Sequence, residues 1–160
     1  MIVVEKMLFL RYVPLFSTMA TSELTHVASM AREVTFPAGQ RIIQQGDHGD
    51  HMYIIVDGDV LIQRGDTPLK TLGPRDFFGE MSIIDGEVRS ASAIAQTDCH
   101  LLRIDKDDFQ ELLATYNSAA VSIARALNQR LREVLPALEK AQVGEHIDLG
   151  LGEEATPPPG

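Results

Sequence analysis

The sequence predicts a mainly β domain with flanking helices, on three observations. From Arg32 the apolar period changes from 3.6 to 2. Short apolar segments then follow one another closely as far as Ile104. Turn signals separate them: Pro37-Ala38-Gly39, Gly46-Asp47-His48-Gly49-Asp50, Asp57-Gly58, Gly65-Asp66, Gly73-Pro74 and Thr97-Asp98. Many short strands with turns this close together indicate a closed or two-sheet β architecture.

The elements follow in order. Val3, Val4, Met7, Leu8 and Leu10 recur at helical spacing over residues 3–11, and Pro14 ends or kinks that helix. Thr21-Ser22-Glu23-Leu24 reads as a helix start, with Ser or Thr as cap and an acid in the first turn. Leu24, Val27, Ala28 and Ala31 share its inner face. Strand-like segments stand at Val34 and Phe36, at Ile42-Ile43, at Met52-Tyr53-Ile54-Ile55-Val56, at Val60-Leu61-Ile62, at Leu69 and Leu72, and on both sides of Thr97-Asp98. Asp105 is placed to cap a helix running to about Thr115. Asn117 opens a long apolar stripe through Val121, Ile123, Ala124, Leu127, Leu131, Val134 and Leu135, which Pro136 ends or kinks. Residues 144–160 are rich in Gly, acid and Pro and read as disordered.

Composition sets bounds. The 160 residues, with 44% apolar and 23% charged, suit one soluble domain. No apolar run approaches the ~20 residues that cross a bilayer, and the N-terminus lacks the order of a signal peptide. The lone Cys99 forms no internal disulfide, which fits a reducing cytoplasm, and it reads as a small core residue. The net charge of −9 argues against nucleic acid as a partner. It also means that an anionic ligand must be held by local donors.

Such donors are grouped in residues 77–95. Gly79-Glu80 leads into a short apolar run from Met81 to Ile84, then a turn at Asp85-Gly86, then Arg89-Ser90-Ala91-Ser92. This reads as a one-turn helix, a turn and a strand start. Gly79 permits φ > 0 and close approach of the backbone to a ligand. The first N–H groups of the helix, near Met81, Ser82 and Ile83, have no intrahelical partner and suit a phosphate. Arg89 adds a planar fork of donors. Ser90 and Ser92 add hydroxyls, and Glu80 is an acceptor suited to a sugar hydroxyl. Taken singly, the same residues also fit a surface arginine paired with Glu87 or Asp85, a first-turn acid and plain strand serines.

Phe78-Gly79-Glu80-Met81-Ser82, followed by Arg89-Ser90-Ala91-Ser92, resembles the phosphate-binding cassette of the cyclic-nucleotide-binding domain family, the regulatory module of catabolite activators and cyclic-nucleotide-dependent kinases. The resemblance covers about residues 13–135 and implies an eight-stranded jelly roll (a double-stranded β-helix) with N-terminal helices and a C-terminal lid helix. Its domain plan is a helical segment at 1–31, a β-roll at 32–104 holding the cassette at 77–92, lid or dimerisation helices at 105–142 and a disordered tail at 143–160. It implies a sensor of cAMP or cGMP, with no metal and no catalytic residues, that transmits binding through its C-terminal helix. Glu80 would accept from the ribose 2′-hydroxyl. The N–H groups of Met81 and Ser82, the Arg89 guanidinium and the Ser90 hydroxyl would hold the cyclic phosphate, with Gly79 allowing the approach. Met52, Ile62, Leu72, Ala91 and Ala93 would wall the pocket, and Arg130, Val134 and Leu135 would cover the base. Leu135-Pro136 departs from activators that place hydroxyl residues there for adenine, and Ser90 does not decide between the two nucleotides.

The implied partners are the nucleotide and either a second copy through the C-terminal helix or an attached effector domain, with no membrane contact by this segment. Only 25 residues follow Leu135, fewer than the ~50 of a compact domain, so a DNA-binding domain is not expected after the long helix. The chain is read as a single-domain sensor or as the sensor module of a longer protein. Rival readings are a degenerate, non-binding structural or dimerisation module of the same fold, and a sensor of another anionic metabolite. His48 and His51 beside Asp47 and Asp50 read as exposed turn residues. His100 is the one histidine on an expected strand, against a cupin-type metal site. No nucleophile elbow, Cys/His motif or P-loop is present.

Overall fold

Alternating apolar residues build eight strands in the computed structural model, which describes residues 1–144. The strands are β1 (Arg32–Phe36), β2 (Arg41–Ile43), β3 (His51–Asp57), β4 (Val60–Arg64), β5 (Thr67–Leu72), β6 (Phe77–Phe78), β7 (Ser92–Ala95) and β8 (Cys99–Asp105). They form two antiparallel four-stranded sheets, in the orders β1-β8-β3-β6 and β2-β7-β4-β5. This is the jelly roll that the resemblance implied. Its helices are α1 (Val3–Leu10), α2 (Thr21–Met30), α3 (Glu80–Asp85), α4 (Lys106–Thr115) and α5 (Asn117–Gly144).

Strand β3 is buried on both faces, which its unbroken apolar run requires. Tyr53 and Ile55 join the core between the sheets, with Ile43, Val60, Leu72, Phe78, Ala93, Ala95 and Leu101. Met52 and Ile54 are fully buried on the alternate face. Met52 therefore does not wall the inter-sheet space as expected; Tyr53 takes that place. Ile62 packs against that core, and Leu72 and Ala93 belong to it. The turn before β6 is pinned to β3: Arg75 N–H donates to the Ile55 carbonyl (2.8 Å), and Ile55 N–H to that of Asp76 (2.9 Å). Strand β5 is an outer strand, exposed along all but its last residue, and its register against β4 shifts between Ile62 and Gln63.

The helix ends differ from expectation in instructive ways. Helix α2 starts at Thr21 with Ala20 as its N-cap, so neither Thr21 nor Ser22 caps it. Glu23 does that work from inside the first turn, accepting from Ala20 N–H at 3.0 Å. Its other oxygen accepts from the Ser118 hydroxyl, tying α2 to the start of α5. Asp105 stands at the N-cap of α4 but makes no side-chain cap bond, because its carboxylate turns to His51 Nδ1 (3.0 Å) and Arg103 Nε (3.3 Å). His51 is accordingly no turn residue: it opens β3, half-buried. Pro136 lies inside α5, which runs on to Gly144. Proline removes one ladder bond there, and the helix-forming Leu138, Glu139 and Lys140 carry the helix past it. The expected tail falls outside the described residues from position 145 onward.

The chain divides into two units, residues 1–123 and residues from 124 onward. The second is described as far as Gly144 by the remainder of α5. Leu131, Val134, Leu135 and Leu138 are exposed there at i, i+3, i+4 and i+7, one face of a helix. No helix among the described residues is long and apolar enough to cross a membrane.

Two glycines with positive φ test how tightly the roll is closed. A Cβ on Gly58 (φ +102°) would meet the Asp98 carbonyl oxygen at 2.6 Å and Cys99 Sγ at 2.8 Å, whereas one on Gly65 (φ +58°) would meet nothing within 4 Å. Gly65→Ala is expected to cost about 1 kcal/mol, the backbone penalty alone. Gly58→Ala adds overpacking and is expected to cost about 2–4 kcal/mol. Urea denaturation of both variants measures the difference.

Candidate functional site

The cassette is anchored at its start by β6. Phe78 pairs with Tyr53 across the ladder, and their rings stack at 5.3 Å. The chain then turns at Gly79, whose φ of +86° and ψ of 0° only glycine adopts without strain. Gly79 is the N-cap of α3, and Gly86, at φ +77°, closes that helix by donating to the Ser82 carbonyl (2.9 Å). Helix α3 is thus a short turn held between two left-handed glycines, with its first N–H groups lacking i−4 partners.

Arg89 is returned to this turn by the loop before β3. Arg89 N–H donates to the Asp47 carbonyl (2.8 Å), and Gly46 N–H donates to the Arg89 carbonyl (2.9 Å). That two-bond ladder aims the side chain inward, where it is 7% exposed. Nη1 donates to the Gly79 carbonyl at 2.7 Å and Nη2 to the His51 carbonyl at 2.5 Å. The guanidinium lies against Gly49, where a Cβ would come within 2.3 Å of Cζ and Nε. A Cβ on Gly79 would sit 3.0 Å from Nη1 and 3.1 Å from the His51 carbonyl oxygen. Burial pushes the Arg89 pKa down from its ordinary value, and the charges of Tyr53, Asp50 and Glu80 offset part of that. It remains a cation at any ordinary pH.

The structure brings Gly79, Glu80, Ser82 and Arg89 together. Glu80 and Ser82 are 6% and 4% exposed. The Met81 side chain is 57% exposed, which leaves its backbone as the relevant part. Ser90 is exposed and Ala91 half-buried. The Ser92 hydroxyl is already used, accepting from Gln45 N–H at 2.9 Å. Arg130, Val134 and Leu135 stand on α5 in the second unit. Arg89 is not an exposed surface arginine, since it is buried and its Nη atoms donate to the Gly79 and His51 carbonyls.

Sequence reasoning missed Gly49 and His51. Gly49 stood in a loop read only as a turn, yet it lacks the positive φ that a turn glycine shows. Its small size makes room for a side chain forty residues away, a reason that no local pattern displays. His51 contributes its carbonyl, which side-chain chemistry does not reveal. Elsewhere, a cavity of about 410 Å³ lies at the far end of β3, lined by Phe36, Asp57, Asp98, Cys99 and His100 among others, and includes no cassette residue. Among the described residues no group of three His, Cys, Asp or Glu is placed to hold a metal ion.

Comparison with known proteins agrees with this geometry. Residues 33–116 match the family model described as the cyclic nucleotide-binding domain. The cyclic AMP receptor protein of Thermus thermophilus is 36% identical over 125 residues, covering 75% of this chain and 58% of that protein. A cAMP-dependent protein kinase regulatory subunit of Aspergillus fumigatus is 36% identical over 107 residues, covering 66% of this chain and 26% of that one. This chain therefore spans less than two thirds of either relative. Among solved structures, the regulatory domain of Toxoplasma gondii PKA with cAMP superposes with a TM-score of 0.70 at 27% identity, covering 82% of this chain and 50% of that chain. A sequence match across half of the chain, and a fold match across most of it, coincide on one cassette: the chain belongs to the cyclic nucleotide-binding domain family.

Proposed function

We propose that this protein binds a cyclic nucleotide, cAMP or cGMP, at the cassette and passes the event to its C-terminal helix. The observation that carries the reading is Arg89: a buried cation seated on two backbone carbonyls, beside a left-handed glycine and the open first turn of α3. Carbonyl dipoles stabilise a buried guanidinium only in part, and a monoanionic phosphate completes its surroundings. Arg89, the Met81 and Ser82 N–H groups and the Ser90 hydroxyl hold the cyclic phosphate. Glu80, buried next to them, accepts from the ribose 2′-hydroxyl. Gly79 admits the ligand to the backbone, and Ala91 borders it. The reading contains no catalytic step and no metal.

Two relatives have names that include cAMP, and one solved neighbour is titled as a complex with cAMP; all three support the ligand class. The signal follows from ligand affinity that differs between two positions of α5, and its size is bounded by that difference. The exposed face of Leu131, Val134, Leu135 and Leu138 supports a further role for α5 in pairing with a second copy. A non-binding module is the second reading, and that same face is what favours it.

Three measurements test this. Thermal unfolding with cAMP, cGMP and 5′-AMP separates the readings: at 100 times its Kd a cyclic ligand adds ~2.7 kcal/mol, roughly 5–10 °C, and 5′-AMP adds little. Arg89→Ala is expected to abolish the shift; no shift with any nucleotide on the unaltered protein supports the non-binding module. Gly49→Ala pushes a methyl group into the guanidinium and is expected to weaken cyclic nucleotide binding about ten- to a hundredfold by calorimetry, the loss of one hydrogen bond to a charge. Leu131→Glu with Leu138→Glu is expected to turn a dimer into a monomer in light scattering, and a monomeric unaltered protein rules out pairing through α5.

A further inference from the structure

The hairpin of β4 and β5 reaches the cassette from the second sheet. Arg64, the last residue of β4, is exposed and lies two and four residues beyond Ile62 and Val60, on the face that those two turn to the inter-sheet core. Its Nε donates to the carbonyl of Ser90 at 3.3 Å, the residue after Arg89. The next residue, Gly65, donates its N–H to Gln45 Oε1 at 2.8 Å, and Gln45 N–H donates to the Ser92 hydroxyl at 2.9 Å. The hairpin tip is thereby tied to both ends of Ser90-Ala91-Ser92. With Nε engaged, a guanidinium still presents the N–H groups of its two Nη atoms along its outer edge.

The charge distribution gives this contact a consequence. The chain carries a net charge of −9, so its far field repels an anion. Arg89 is buried and acts at short range. Arg64 is an exposed cation bonded directly to the α3–β7 loop at Ser90, with Asp66 two residues on in the same hairpin and Glu87 three residues before Ser90 as the nearby acids in sequence that its field must overcome. We propose that Arg64 is a further positioning residue of the anion site. It draws the anionic ligand to the cassette mouth and holds the Ser90 backbone against which the phosphate seats. The inference rests on the cassette being a cyclic phosphate site, as proposed above.

Stopped-flow mixing of the full chain with cAMP, and in parallel with cGMP, tests it on the unaltered protein and on Arg64→Gln, Arg64→Glu and Arg64→Lys, at about 0.02 M and about 0.5 M salt. Arg64→Gln is expected to lower the association rate about three- to tenfold at low salt, and Arg64→Glu further, with the differences collapsing at high salt. Arg64→Lys keeps the charge and is expected to keep the salt dependence of the unaltered protein, losing only the part of the affinity that comes from the Ser90 bond. Unchanged melting temperatures of the ligand-free variants exclude a folding defect as the cause. The inference is overturned if Arg64→Gln matches the unaltered protein in rate and salt dependence. It is equally overturned if Gln and Lys lose affinity alike at both salt concentrations, the pattern of a packing role without charge. Failure of the unaltered protein to bind either nucleotide is a separate result that needs no variant, and it removes the cassette reading and this inference together.

Discussion

A guanidinium held out of water by two peptide carbonyls is the interaction on which the rest of this structure depends. An arginine in that position needs partners for its donors, and here one bond from each Nη atom goes to backbone. Two consequences follow from using backbone. The carbonyls of Gly79 and His51 must both reach the Nη end of the side chain, which requires the left-handed turn at Gly79 and the start of β3 to converge. The face of the guanidinium must also lie on a residue without a side chain, which is the place of Gly49.

The same interaction reaches the helices. His51 offers its carbonyl to Arg89 and its ring to Asp105, the residue before α4. Lys106 N–H, at the first position of α4, donates to the Asp50 carbonyl (2.8 Å), and Gln110 of α4 reaches back to the Ile83 carbonyl of α3 (3.3 Å). Both ends of the cassette therefore share hydrogen-bonded neighbours with one helix. Short polar contacts thus connect Arg89 and α3 to α4. Glu23, bonded to Ser118, continues the connection from α2 to the first turn of α5.

Much of this was legible in the residues alone, and the limits have physical causes. The period of 2 and the turn signals locate the strands, because a roll with buried interior faces demands alternation at every strand. The cassette is legible because its chemistry is concentrated in consecutive residues from Phe78 to Ser92. What sequence reading missed is set by contacts distant along the chain. Met52 and Tyr53 are neighbours in an apolar run, and an apolar run carries no sign of which face is which; the pairing of β3 with β6 and β8 decides it. At α2 the cap position falls on Ala20, whose N–H is met by Glu23 from inside the first turn, and at α4 Asp105 holds the N-cap position while its carboxylate goes to the distant His51. Of the two outcomes expected at Pro136, an end to the helix does not occur, since a single lost ladder bond is small beside a long helix of good formers.

The outer strand β5 bears on how such a module behaves when it is crowded or joined to other domains. An unpaired sheet margin invites another chain to add itself, and repeated additions build aggregates. Here that margin carries Pro68, which has no N–H to offer, and Lys70, whose charge opposes stacking of like chains, while the register shift against β4 bends the ribbon. The sheet is thereby blunted as a template for self-addition, and copies of this roll can be held side by side at high local concentration without their margins fusing.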